Sequence, residues 1–248
     1  MCTAYRVLVL CMALVFVLPS RAGTEARSLL PEAARSTWGA VGRLNIGGTG
    51  RCTATLIEPD LALTAAHCLV NARTGAVWRA SRLNFLAGYR TGDYLAHMRG
   101  TALALAPGYL DEPTPDRDMA LVRLVPVEGA DTAAQAGIAP MRLARLDEGL
   151  GLIALSYGRD RPEAMSIQTG CQVLDRAGPV AVTDCEATPG VSGAPLLRQG
   201  AGGPELLAVI VAALNANPPA LRGQALAVEA GPLIDALRAE LARTEAAR

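Results

Sequence analysis

Asp184-Cys185-Glu186-Ala187-Thr188-Pro189-Gly190-Val191-Ser192-Gly193-Ala194-Pro195 is the stretch on which the fold turns. It grips one serine between two glycines, with a proline just after. A Gly-x-Ser-Gly turn is commonly only a turn, so its meaning depends on what lies upstream. Two further stretches complete it. Leu61-Ala-Leu-Thr-Ala-Ala-His67-Cys68 is an apolar run that delivers a histidine beside a cysteine, and Asp116-Arg-Asp118-Met-Ala-Leu-Val-Arg-Leu124 puts an aspartate at the mouth of a strand. A lone histidine is commonly structural, and each stretch alone carries little. Together they supply a nucleophile, a base to take its proton and an acid to orient the base.

The order of these residues restricts the architecture. Histidine occurs only as His67 and His97, and both precede Ser192, so the serine-elbow order of Ser, acid, His is excluded for this serine. The order Asp, His, Ser would need Asp60, seven residues ahead of His67 at the start of the same run, and the helices of that α/β fold are missing. What survives is His67, Asp118, Ser192, separated by 51 and 74 residues. His97 has no comparable setting and reads as a surface or strand residue.

Composition removes other chemistries. The 23 cationic side chains are all arginine, with no lysine among the 248 residues. Phosphate loops with a Gly-Lys pair, Schiff-base enzymes, kinases and Ser-Lys hydrolases each need the missing residue. Cations balance the 23 anions, so no basic surplus points to nucleic acid. Apolar residues at 51% and charged residues at 19% exclude a disordered scaffold and allow a large buried core.

The N-terminus has the features of an export signal. Arg6 precedes the 12-residue apolar run Val7 to Leu18, Pro19 breaks it, and Ser20-Arg21-Ala22 offers small residues at a cleavage site. Twelve residues are too short to span a hydrocarbon core of ~30 Å as a helix. Cleavage after Ala22 leaves Cys52, Cys68, Cys171 and Cys185, an even number in an exported chain, which reads as two disulfides with three possible pairings. The local choice, Cys52–Cys68 and Cys171–Cys185, closes loops worth about 3 kcal/mol each in the chain-entropy model. A metal site is the rival, but there is no C-x-x-C pair and His67 directly abuts Cys68. No metal, cofactor or nucleic-acid role is expected, and no stable membrane anchor after signal cleavage.

From Trp38 onward, short apolar runs broken by Gly, Pro, Asn and Asp are the pattern of an all-β protein. The reading divides the chain into a signal peptide (1–22), a short propeptide or loose arm (23–37), an N-terminal β-barrel with His67 and Asp118 (38–126), a linker (127–140) and a C-terminal β-barrel with Ser192 (141–248). Only the end is helical: Pro232 opens it, and Leu233, Ile234, Leu237 and Leu241 recur at helical spacing. The predicted fold is two six-stranded antiparallel β-barrels side by side with a C-terminal α-helix.

With these motifs in this order, the chain resembles the trypsin-like (chymotrypsin-fold) serine proteases, nearest to the bacterial secreted branch related to glutamyl endopeptidases. The matching stretches are Cys52-Thr-Ala-Thr-Leu-Ile, Thr64-Ala-Ala-His67-Cys68, Asp118-Met-Ala-Leu and Gly190-Val-Ser192-Gly193-Ala-Pro195, within a resemblance spanning roughly Trp38 to Arg243. It implies an active site between two barrels and a Cys52–Cys68 disulfide. It also implies a His67–Asp118–Ser192 triad and an oxyanion hole from the backbone N–H groups of Gly190 and Ser192. Alignment places Glu186 at the base of the primary pocket, where an acid would favour Arg or Lys. It takes the pocket walls from Val211 to Asn217, with Ala212, Ala213 and Ala216 leaving room. The histidine that glutamyl-specific relatives carry there is absent. Val191 departs from the family's usual Asp or Asn and cannot make the ion pair that activates pancreatic-type zymogens.

The expectation is a secreted or periplasmic monomeric serine endopeptidase acting on proteins or peptides through an acyl-enzyme. One alternative is a catalytically silent protease-fold binding protein, in which a triad member has usually been lost. Another is a periplasmic quality-control protease, against which the lack of a peptide-binding domain after the terminal helix argues.

Overall fold

The computed structural model describes residues 24–48, 50–147, 151–214 and 223–247; the predicted signal segment lies outside them. Among the described residues, the apolar runs become β1 (Ser28–Leu29), β2 (Val41–Ile46), β3 (Gly50–Glu58), β4 (Leu61–Thr64), β5 (Leu83–Ala87), β6 (Ala96–Leu105) and β7 (Ala120–Pro126). There follow β8 (Arg142–Leu143), β9 (Leu152–Ser156), β10 (Ser166–Cys171), β11 (Val173–Ala177), β12 (Val180–Glu186), β13 (Pro195–Gly200), β14 (Gly203–Ala213) and β15 (Gln224–Glu229). The chain then enters helix α1 (Gly231–Ala246), with proline in its first turn as the sequence predicts.

Strands β2-β3-β4-β7-β6-β5 close into an antiparallel barrel. In β6 every second residue is buried, the period expected of a strand with one face on a core. Leu44, Leu56, Leu63, Phe85, Met98 and Leu121 fill the interior with essentially no exposure. Closure leaves this half without a free edge.

The second half differs in detail from the closed barrel that was expected. Its sheet runs β1-β10-β9-β13-β14-β15-β12-β11, with β8 pairing β14 in parallel. Six of these strands, β10 to β12 along that path, form a curled half-barrel whose two ends are not joined by a ladder. Cys171 at the end of β10 is instead bonded to Cys185 in β12, linking the ends covalently. Strands β10 and β11 follow each other closely, divided next to Cys171. The architecture is the chymotrypsin-like two-barrel fold predicted from the sequence.

Residues 24–30, within the segment 23–37 read as propeptide or loose arm, lie against this second sheet, while Arg35 donates to Gly88 O in the first half. Ser28 and Leu29 pair with Ile167 and Ser166. The Glu25 N–H donates to Thr169 O (2.9 Å), the Leu30 N–H donates to Met165 O (2.8 Å), and Arg27 and Leu30 are buried. At the other end, α1 turns back onto the first barrel. Ile234, Leu237 and Leu241 bury the apolar stripe, while Arg238 pairs with Glu58 and Glu245 with Arg123 on the barrel surface.

Candidate active site

Strand β4 ends at Thr64, and the chain tightens into a short 3-10 turn, Ala66–Leu69, that carries His67. Ala66, Cys68 and Leu69 are buried around it, and the Cys52–Cys68 disulfide ties the turn to β3. Asp118 lies just ahead of β7, beside β4 in the barrel. The strand pairing Thr64–Ala120 therefore brings together two residues distant in sequence.

Asp118 is buried and holds His67 at two points. Its Oδ1 accepts the His67 backbone N–H at 2.8 Å, and its Oδ2 lies 2.7 Å from Nδ1. The carboxylate thus sets both the position of the turn and the orientation of the ring, leaving Nε2 as the free nitrogen. Tyr109, which the sequence reading missed, packs beside this pair. Burial, and then the Asp118 charge, push its phenol well above the usual tyrosine range. Nothing in the sequence distinguishes Tyr109 from an ordinary core tyrosine.

Ser192 sits across the seam between the two halves. The Thr53 N–H donates to Ser192 O (2.8 Å), and the Gly193 N–H donates to Ile210 O (2.8 Å), so the serine's turn is bonded to β3 on one side and β14 on the other. Thr53 makes two further links, donating from Oγ1 to Gly190 O (3.3 Å) and accepting from the Tyr157 N–H (3.0 Å). Two glycines are required here. Gly190 has φ +94°, and a Cβ on it would lie 2.7 Å from Tyr157 O. Gly193 has φ +81°, and a Cβ would meet Thr53 O at 2.0 Å.

His67, Ser192 and Gly190 line one cleft of about 540 Å³, together with Arg51, Trp78, Arg159 and Pro189. The imidazole and the serine therefore share a face. His67 Nε2 lies 3.8 Å from Cys68 Sγ, and the Ser192 hydroxyl has no hydrogen-bond partner among the described residues. Nucleophile–base contacts in unliganded sites are often loose and tighten when substrate arrives. The backbone N–H groups of Gly190 and Ser192 also have no acceptor among the described residues, which leaves both donors open.

The other predicted positions divide. Val211 is buried while Ala212 and Ala213 are exposed at the end of β14; Ala216 and Asn217 lie outside the described residues. Glu186 is 52% exposed, with Oε2 3.8 Å from Nε of the buried Arg27, so its charge is partly met within the protein. Val191, where the family usually has an acid, is buried in the apolar core of the second half. His97 is on β6, bonded to Asn84 Oδ1 at 3.0 Å; burial, then Arg99, lower its pKa. Cys52, His67 and Cys68 put potential ligand atoms within 4.8 Å of one another, but sulfurs joined in a disulfide are not thiolates and hold no metal.

A closed barrel, a curled partner sheet and a histidine–aspartate pair facing a serine at their seam define a chymotrypsin-like fold. A trypsin-like peptidase domain matches residues 52–202, more than half of the chain, and the protein belongs to that family. No curated protein matches the sequence. A glutamyl endopeptidase, solved in complex with MPD, superposes with a TM-score of 0.71 at 17% identity, covering 87% of this chain and 96% of that one. The protease Anisep from Arthrobacter nicotinovorans superposes with a TM-score of 0.68 at 17% identity, covering 88% and 100%. A thermostable serine protease, AL20, from an extremophilic microorganism gives 0.66 at 16% identity, covering 83% and 98%. At such identities the likeness is one of fold.

Proposed function

We propose that this protein is an exported serine endopeptidase that cleaves peptide bonds through an acyl-enzyme on Ser192. The observation that carries the reading is the buried Asp118 bonded twice to His67, facing Ser192 in one cleft. Asp118 keeps the proton on Nδ1, so Nε2 accepts the Ser192 proton as Oγ attacks the scissile carbonyl. The oxyanion forms against the Gly190 and Ser192 N–H groups, each such donor being worth about 3–4 kcal/mol of barrier. Collapse breaks the C–N bond and His67 returns its proton to the departing amine. Water, deprotonated by the same imidazole, then releases the acyl group.

Two disulfides fit an oxidising compartment, periplasmic or extracellular. Among the described residues no helix is long and apolar enough to cross a membrane. Selection of Arg or Lys through Glu186 has weak support, because a carboxylate already facing Arg27 offers less to a substrate cation. The test is labelling with a fluorophosphonate probe alongside cleavage of peptides blocked at both ends. Labelling of the wild type but not of Ser192→Ala, with internal cleavage, is expected. A wild type that neither labels nor cleaves is the silent binding protein instead. Substrates with Arg and with Ala before the scissile bond decide the pocket, and equal cleavage removes Glu186 from it.

A further inference from the structure

Arg27 stands on the N-terminal segment that the sequence left as propeptide or loose arm, yet its side chain is only 5% exposed. A buried guanidinium is costly unless paired. Here Nη2 pairs with Asp160 Oδ2 at 2.6 Å and Nε lies 3.8 Å from Glu186. The other face of Asp160 is used as well, with Oδ1 accepting from Thr188 Oγ1 at 3.2 Å. Burial works against the Asp160 charge, but the Arg27 bond and charge hold its carboxyl below the ordinary range. The next arginine closes the loop onto the segment, since Arg161 Nη1 donates to Arg27 O at 2.7 Å. Gly158 makes room for the pair: a Cβ there would lie 2.4 Å from Asp160 Oδ1 and 2.6 Å from Arg27 Nη1.

The connection to chemistry runs through one peptide plane. Between Gly158 and Asp160, the Arg159 N–H donates to Pro189 O at 2.6 Å. In a trans peptide the C=O and the following N–H point in opposite directions. Holding the Pro189 carbonyl against residue 159 therefore turns the Gly190 N–H the other way, leaving it open for an oxyanion. Nothing at Val191 can anchor this loop by charge, because that side chain is apolar and buried.

We infer that Arg27 is a positioning residue for the oxyanion hole. The internal guanidinium, clamped on Asp160, fixes residues 159–161 and through them the Pro189–Gly190 peptide, so the mature enzyme retains Arg27. The inference rests on the oxyanion role proposed above for Gly190.

The experiment uses the full exported chain, with wild type and Ser192→Ala as controls. Arg27→Ala is expected to lower kcat about 10- to 100-fold, a part of the 10²–10³ lost when an oxyanion donor is removed outright, with KM changed less than about threefold. Arg27→Lys, which restores a cation, should regain at least half of that loss on a logarithmic scale. Asp160→Asn removes the partner charge while keeping its shape and should reproduce the kcat loss, so the test stands even where Arg27→Ala does not fold. N-terminal sequencing of the active enzyme should place its first residue before Arg27. The inference is overturned by Arg27→Ala or Asp160→Asn variants that fold and keep kcat within threefold of wild type, or by an active form that begins after residue 27. A wild type that fails to label or cleave overturns the hydrolase reading itself, which is a different result.

Discussion

Replacing Asp118 by asparagine tests the geometry of the site with almost no change in shape. The carboxylate accepts two hydrogen bonds, from the His67 backbone N–H at 2.8 Å and from Nδ1 at 2.7 Å. An amide offers one acceptor and one donor, so one of these bonds must reverse. If the amide NH₂ faced the backbone N–H, two donors would confront each other in a buried site, at about 1–3 kcal/mol. The backbone cannot become an acceptor, whereas an imidazole can, by moving its proton from Nδ1 to Nε2. The second arrangement therefore wins: asparagine keeps both hydrogen bonds, and His67 presents a protonated Nε2 to Ser192. The base is lost while the fold is kept. We expect kcat to fall on the order of 10⁴-fold, which at about 1.36 kcal/mol per decade is roughly 5.4 kcal/mol of barrier. Melting temperature should stay within a few degrees of wild type. The assay is steady-state cleavage of a blocked fluorogenic peptide, with active-site labelling to count functional sites and a thermal melt beside it. An Asp118→Asn enzyme that melts normally and keeps kcat within tenfold would refute the tautomer argument and with it the role of Asp118.

Three further outcomes follow from other parts of the molecule. Gly193→Ala places a Cβ 2.0 Å from Thr53 O and 2.2 Å from Thr64 Oγ1 at a φ of +81°, so a loss above about 3 kcal/mol of stability is expected; a soluble variant with a wild-type melt would show that the seam is softer than the geometry implies. The carboxyl of the exposed Asp160 is held below its ordinary range against some desolvation, chiefly by the Arg27 bond, so its contribution to stability should be present at neutral pH and disappear as pH falls through that lowered native value. Melting curves of wild type and Asp160→Asn should therefore draw together as the pH is taken well below the ordinary carboxylate range, and a gap that stays constant through the acid limb would contradict the assignment. Finally, among the described residues the cleft beside Ser192 is lined by Arg51 and Arg159 and by no acid, and does not include Val211, Ala212 or Ala213. Substrates with Asp or Glu just after the scissile bond should be favoured about three- to tenfold at low salt, with Arg159→Glu inverting the preference; an unchanged ranking would place that side chain outside the substrate path.

The fold class, and the meeting of His67 and Asp118 with Ser192 at one cleft, were legible because both are written locally. The Thr64-Ala-Ala-His67-Cys68 run is a strand that ends in a turn, and Gly190 and Gly193 mark backbone conformations that other residues avoid. Order along the chain then selected one architecture. What the sequence did not show depends on long-range pairing. Arg27 is one of 23 arginines, and nothing near it signals burial, since its partners Asp160 and Glu186 are more than 130 residues away. The open second sheet was equally hidden, because whether β10 and β12 pair or are merely joined by Cys171–Cys185 depends on sheet curl and not on periodicity. The destination of α1 was hidden too: its apolar stripe demanded a core, but either half could have supplied one.

These long-range contacts explain why the site needs both halves of the molecule. His67 and Asp118 are held within the first barrel, where β4 and β7 are paired and a disulfide holds the turn. The serine and its open N–H groups belong to the second, on a turn with little secondary structure of its own. Thr53 is the hinge pin, bonded to Ser192 O, Gly190 O and the Tyr157 N–H from a strand of the first barrel. The Gly193 N–H bond to Ile210 O ties the turn to β14 as well. Its Pro189–Gly190 end rests on the stretch 158–161, which is braced by an arginine delivered by the N-terminal segment. A loop carrying two positive-φ glycines and a buried valine has no ionic anchor of its own, so a cation from elsewhere in the chain has to brace it. Position 27 is the place where this fold supplies one.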